Sequence, residues 1–228
     1  MYQLHPDSGS SHRILASLVQ KAGRSPVLDV GAAEGYLGRL LIGSGLTIDA
    51  VEPNEEYARV AAPYYRRLYR ATVEDVALEE EYGAIIFGDV LEHLVEPAGA
   101  LERLLGCLAP DGVVLISVPN VAHLAVRLLL LSGRFPAMDR GPLDRTHLHF
   151  FTWSTVEELL KQLDLRVLER HSSVVPMADM VSSVWSPVAR LAQRSQLVAA
   201  HLLPGLFSYQ WVVMAERASA YQRVLERR

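Results

Sequence analysis

The chain has almost no cysteine, little lysine and no long apolar run, and each shortage removes a class of protein. Cys107 is the single cysteine among 228 residues, so neither an intrachain disulfide framework nor a cysteine metal site can be assembled. A reducing cytoplasm is the expected compartment. Lysine occurs only at Lys21 and Lys161, and the remaining basic charge is scattered arginine. With a formal net charge of −4, nothing draws the chain toward nucleic acid or an anionic membrane. No uncharged apolar stretch approaches the roughly 18 residues of a membrane span. The nearest, residues 121–133, is interrupted by His123 and Arg127 and reads as a buried or lid helix. The opening "MYQLHPDSGSSHR" lacks the basic-then-apolar pattern of a signal peptide.

Half of the residues are hydrophobic, enough for one well-packed α/β domain over residues 1–228. Residues 1–24 form an N-terminal helical segment. From residue 25 to about 118, β-rich runs alternate with amphipathic helical stretches, which predicts βαβ units and a parallel sheet. The strands are "PVLDVG", "LTIDAVEP", "RRLYRATV", "YGAIIFGDV" and "GVVLISVP", followed later by "LRVLERHSSV" and "FSYQWVVMAE". Asn54 offers an N-cap to a helix with Tyr57, Val60, Ala61 and Tyr64 on one face. Leu101, Leu104, Leu105 and Leu108 share the face of another, and "PDG" then turns the chain. Ser154 and Glu157 have capping-box spacing. Two insertions, 120–153 and 176–206, break the rhythm on the substrate side. The second carries Met177, Met180 and Trp185 with few charges, as a lid or a dimer face would. The Arg/Glu-containing tail reads as a frayed helix.

The stretch "VLDVGAAEGYLG" (27–38) is a strand breaking into a glycine turn and a helix, a place where unpaired N–H groups and the helix dipole attract an anionic ligand group. A dinucleotide turn takes glycine or another small residue at positions one, three and six. Counted from Gly31 these are Gly31, Ala33 and Tyr36, and Tyr36 fits poorly. Gly35 lets the helix begin close to the strand. Glu52, at the end of strand two, can accept both hydroxyl protons of a ribose. Asp29 would repel a pyrophosphate and welcome a sulfonium or ammonium group. The spacing therefore favours a cationic, adenosine-bearing ligand. An NAD-dependent oxidoreductase and a non-catalytic cofactor-binding protein are the competing classes.

On "DVGAAEG" and "VEPN" the chain resembles class I S-adenosylmethionine-dependent methyltransferases, with Ala33 where a middle glycine often stands. "FGDVLEHLVEP" resembles the branch that includes the ubiquinone-pathway O-methyltransferases. "SVPNV" with "GPLDRTHLHFFTWSTVEELL" resembles bacterial polysaccharide and secondary-metabolite methyltransferases. The resemblance covers about residues 25–175 and extends more weakly to "PGLFSYQWVVMAE". It implies a Rossmann-like α/β fold: a seven-stranded, mainly parallel sheet with helices on both faces and strand seven antiparallel. It also implies S-adenosylmethionine as cofactor and S-adenosylhomocysteine as product. Asp29, Gly31, Ala33, Gly35, Glu52 and Pro53 then hold the cofactor, Val73 and Glu74 frame its adenine, and Gly88 and Asp89 line its methionine end. Glu92 and His93, in the same block, either contact ligand or brace a helix.

Methyl transfer to oxygen needs a base where the acceptor is an aliphatic hydroxyl. Ligands of open α/β sheets bind at the carboxyl ends of the strands, which points to the insertion after strand five. It contains "LDRTHLHFF", where an extended backbone would put His147 and His149 on one side. His147 is the candidate base, with Asp144 orienting it or sharing its role. The acid and two histidines also have metal-ligand types at short spacing, but a fourth ligand is not evident and the transfer requires no Lewis acid. No metal is expected. A small-molecule or glycan acceptor and a possible homodimer complete the expectation.

Overall fold

The computed structural model describes residues 9–174 and 195–218. Seven strands form one sheet in the order β3-β2-β1-β4-β5-β7-β6. They are β1 Val27–Val30, β2 Ile48–Val51, β3 Arg67–Tyr69, β4 Tyr82–Gly88, β5 Leu108–Pro119, β6 Leu165–Ser173 and β7 Gln210–Arg217. β1 to β5 pair in parallel, and β7 runs antiparallel to both β5 and β6, as the resemblance implies. Alternate residues serve opposite faces. Leu28, Val30, Ile85 and Phe87 pack with Leu101 and Leu104 of α4 (Pro97–Leu105) and with Val156 and Leu160 of α6 (Trp153–Gln162). Val27, Ile48, Ala84 and Ile86 pack with Leu15 and Val19 of α1 (Ser11–Ala22) and with Leu37 and Leu41 of α2 (Tyr36–Leu41). Both faces are covered, which is why the strands read as continuous apolar runs.

The sequence reading of the helices needs four corrections. Asn54 caps α3 (Glu55–Ala61) by accepting the amides of Glu56 and Tyr57, but the buried face is Ala58 and Ala61, while Tyr57 and Val60 are exposed. Only small residues fit there, because Ala61 lies against the turn at Gly35. Leu108 does not end α4; it opens β5, which carries "PDG" as an irregular stretch with a register shift opposite Tyr82 and Ala84. The capping box of α6 is Thr152 with Thr155, two residues earlier than Ser154 with Glu157. Lastly, α5 (Leu124–Leu131) is not a buried helix: Val126 is its one buried residue, and Leu131 is 83% exposed.

The insertion after β5 is closed at its base by a bridge between Asn120 and Phe151, with the Val121 amide donating to the Phe151 carbonyl at 2.9 Å. Of the second insertion, residues 195–202 are helical and Pro204–Phe207 form one more turn. Met177, Met180, Trp185 and the tail from residue 219 lie outside the described residues. Among the described residues, no helix is long and apolar enough to cross a membrane.

Candidate functional site

The carboxyl ends of β1, β2 and β4 meet at the glycine turn. The Gly31 amide still donates to the Val51 carbonyl at 2.8 Å, so the turn starts while paired to β2. Gly31 has φ +70°, and a Cβ there would stand 2.6 Å from Cγ2 of Val90. At Gly35, φ +79°, a Cβ would stand 2.9 Å from the Tyr64 ring. The turn is thus pressed between β4 and the 3₁₀ turn Ala62–Tyr64, and both glycines are sterically required. Ala33 between them also has positive φ, 46°.

Glu52 is buried at the end of β2 and clamps this turn: Oε2 accepts the Ala33 amide at 2.8 Å and Oε1 accepts the Asn54 amide at 2.8 Å. Each carboxylate oxygen offers two lone-pair sites, so one per oxygen remains for a ligand. Asp29 is buried in β1, where its Oδ2 accepts the Tyr65 hydroxyl at 2.5 Å; that hydroxyl in turn accepts the Gly38 amide at 3.1 Å. Burial pushes the Asp29 carboxyl up to about 7, against the Tyr65 hydrogen bond and with help from the Glu52 charge. Pro53 is exposed beside Glu52. Thr72–Val76 is a compact turn in which the Val73 side chain belongs to the core and Glu74 is exposed.

Asp89 follows β4 with φ 57° and gathers three elements. Its Oδ1 accepts from the Ser117 hydroxyl of β5 at 2.5 Å and from Gln210 Nε2 of β7 at 2.9 Å. Its Oδ2 accepts from the Ser11 hydroxyl of α1 at 3.3 Å. Gly88, just before it, is tight: a Cβ would lie 3.3 Å from Leu15. Tyr65, Ser11, Ser117 and Gln210 were not evident from the sequence, since no local motif marks a partner that is far away along the chain.

The loop after α5 returns over this edge. It turns at residues 141–147 instead of running extended, and His147 and His149 take different partners. His149 Nε2 pairs with the Val95 carbonyl at 3.1 Å. His147 packs edge-on against His93 with ring centroids 4.9 Å apart, and against Phe150. Burial lowers the His147 pKa, His93 lowers it further, and Asp144, the Pro142 carbonyl and Asp89 oppose them. Asp144 spends Oδ1 on the Thr146 amide (2.9 Å) and hydroxyl (2.7 Å), so it shapes the loop and reaches His147 through space. These bonds and the neighbouring histidines outweigh burial and hold its carboxyl low.

Glu92, in the 3₁₀ turn Leu91–His93, is 1% exposed, and neither of its carboxyl oxygens has a hydrogen-bond partner. Burial, then the Asp89 charge, then Asp144 drive its pKa well above the carboxylate range, and its own backbone amide, outside hydrogen-bond geometry, opposes them. Glu92, His93 and His147 each bring one oxygen or nitrogen within 4.8 Å of the others; Asp144 and His149, the other members of the motif in the sequence, are not part of that group. The group runs from buried Glu92 to exposed His93, so it opens outward.

A family model described as a methyltransferase domain matches residues 10–170. A ubiquinone biosynthesis O-methyltransferase of Rickettsia felis is 22% identical over 149 residues, 63% of this chain and 61% of that one. The chain therefore spans less than two thirds of that relative. A protein of the same description from Xanthomonas campestris pv. campestris is 25% identical over 181 residues, 75% of this chain and 72% of the relative. In fold, the chain is similar to the 1,6-didemethyltoxoflavin-N1-methyltransferase of Burkholderia thailandensis, with a TM-score of 0.60, 19% identity, and 92% and 80% of the two chains covered.

Proposed function

This chain belongs to the methyltransferase domain family, and from that premise we propose that it transfers a methyl group from S-adenosylmethionine to a small-molecule or glycan acceptor, on oxygen. The observation that carries the reading is the meeting of Asp29, Glu52 and Asp89 around one glycine turn whose glycines have no room for a side chain. The residues fit the cofactor. Glu52 keeps a free lone pair on each oxygen for the ribose hydroxyls while it holds the turn. Gly31, Ala33, Gly35 and Pro53 form the wall beside it, and the turn at Val73 and Glu74 frames the adenine. Gly88 and Asp89 border the methionine end, and the acidic pair Asp29 and Asp89 favours its cationic groups. When bound, the sulfonium supplies an electrophilic methyl and a neutral leaving group.

The protein's remaining work is alignment, exclusion of water and removal of one proton. His147 takes that proton in this reading, because burial and His93 keep its ring neutral and the Pro142 carbonyl holds one ring nitrogen. Asp144 fixes the turn that presents it. The oxygen acceptor is favoured by the O-methyltransferase relatives. A free Cys107 suits the reducing cytoplasm, and the exposed leucines of α5 leave room for a homodimer.

Calorimetry tests the cofactor. S-adenosylhomocysteine should bind and NADH should not; the reverse result would replace the transferase by an oxidoreductase. Turnover on an acceptor separates an enzyme from a binding protein. His147→Ala should then lower kcat at least ~100-fold with cofactor affinity intact, and unchanged turnover would remove His147 from the role of base.

A further inference from the structure

Glu92 is the one feature of the site that the fold itself does not require. A buried carboxyl with both oxygens unpartnered destabilises the protein, and an aliphatic side chain of similar size would fill the space without that cost. The backbone carbonyl of the same residue is fully used: it accepts the amides of Leu148 at 2.8 Å and His149 at 3.1 Å. The loop that carries His147 is therefore docked on Glu92 itself, and this docking brings the Glu92 carboxyl, His93 and His147 within 4.8 Å of one another. His93 Nδ1 faces the Thr146 carbonyl at 3.3 Å, which fixes the second ring of the group.

We propose that Glu92 is the positioning residue of His147: its carboxylate orients the ring and opposes the positive charge that the ring acquires on taking the acceptor's proton. The proposal rests on the reading of His147 as base. As the acceptor's O–H bond breaks, an N–H bond forms on His147. The oxygen's electron pair makes the new bond to the methyl carbon, and the carbon–sulfur pair leaves with sulfur. Positive charge thus moves from sulfur to the imidazole, where Glu92 faces it. The groups around Glu92 are Asp89 from the end of β4, His93 from its own turn, and Asp144 and His147 from the loop. The two other carboxylates and burial keep Glu92 protonated to higher pH than an ordinary glutamate, so the pair becomes active as pH rises through that range.

The test needs no acceptor. The protein is saturated with S-adenosylhomocysteine, confirmed by calorimetry, and the His147 ring is titrated by NMR in wild type, Glu92→Gln and Glu92→Asp. Below the Glu92 transition Gln should leave the His147 midpoint unchanged, because Glu92 is then protonated; above it, the ring nitrogen shifts should report one tautomer in wild type and a mixture in Gln, with Asp restoring at least half of the difference. In His147→Phe, which removes the ring N–H, the Glu92 carboxyl signal should titrate at higher pH than in wild type, which reads the same pairing from the other side. Bound S-adenosylhomocysteine with the same tautomer balance in wild type and Gln, and the same Glu92 titration in His147→Phe, would overturn the pairing and leave the cofactor reading standing. Failure of S-adenosylhomocysteine to bind would overturn both. A His147 titration that moves on addition of EDTA would assign the carboxylate to a bound cation and overturn the pairing as well.

Discussion

Ala33 holds φ 46° between two glycines, in a region where an L side chain crowds its own carbonyl. The sequence shows an alanine in a glycine-like position but not that its backbone is left-handed, which requires the turn's three-dimensional path. Ala33→Gly should raise stability by about 0.5–1 kcal/mol in urea unfolding, since strain relief exceeds the extra chain entropy lost. Asp29 supports a second prediction. Its folded pKa, about 7, lies above the ordinary 3.8, so protons bind the folded state more tightly. The stability this contributes is complete below about pH 4 and is lost as pH rises through about 7. Asp29→Asn should flatten that part of the pH–stability curve. Tyr65→Phe should cost roughly 1–3 kcal/mol in the same assay, because it removes the donor to a buried carboxyl and the acceptor of the Gly38 amide together. Asp29 and Glu52 were legible because spacing within one βαβ unit marks them. Tyr65 was not, although it decides how Asp29 is held.

The helices show where periodicity suffices and where it does not. Leu101 and Leu104 were readable as a buried face because α4 lies flat on the sheet. The α3 face was misread because hydrophobicity ranks Tyr57 and Val60 above Ala58, whereas the helix is turned so that Ala58 and Ala61 are buried, with Ala61 against the backbone at Gly35. At α6 the sequence contains two overlapping cap patterns, and the hydroxyl that reaches the Thr155 amide belongs to Thr152. Thr152→Ala should cost about 1 kcal/mol of stability, while Ser154→Ala should change the unfolding midpoint little; equal effects would contradict the assigned cap. The loop after α5 was legible in content, since it holds His147 and Asp144, but not in arrangement. Its partners Glu92, His93 and Val95 come from the other side of the sheet edge, and no spacing within the loop encodes them.

At the scale of the molecule, the strand order places six strand ends and the start of β7 along one edge, and Asp89 ties β4, β5, β7 and α1 there through Ser117, Gln210 and Ser11. A ligand held at that edge contacts elements from most of the chain, so its binding should stabilise the whole fold. S-adenosylhomocysteine at one hundred times its Kd should contribute about 2.7 kcal/mol and raise Tm by about 5–11 °C for a protein of this size. NADH at the same concentration should leave Tm unchanged. The parallel sheet and its antiparallel seventh strand were legible from alternation and resemblance, because the core repeats one simple pattern; the edge network was not, because each of its bonds joins residues distant in sequence.

The bridge between Asn120 and Phe151 has an evolutionary consequence. It closes the base of the insertion as a clasp, so whatever lies between those two residues is joined to the core at a fixed point. Lengthening or replacing that segment costs little, about 0.6 kcal/mol of closure entropy for a doubling of length. Descendants of this chain can therefore exchange the segment as a cassette and acquire a new acceptor while Asp29, Glu52 and the glycine turn stay untouched. If the insertion supplies the base as proposed, Glu92 remains behind on the scaffold, and only inserts that present a proton carrier to it would inherit a working site.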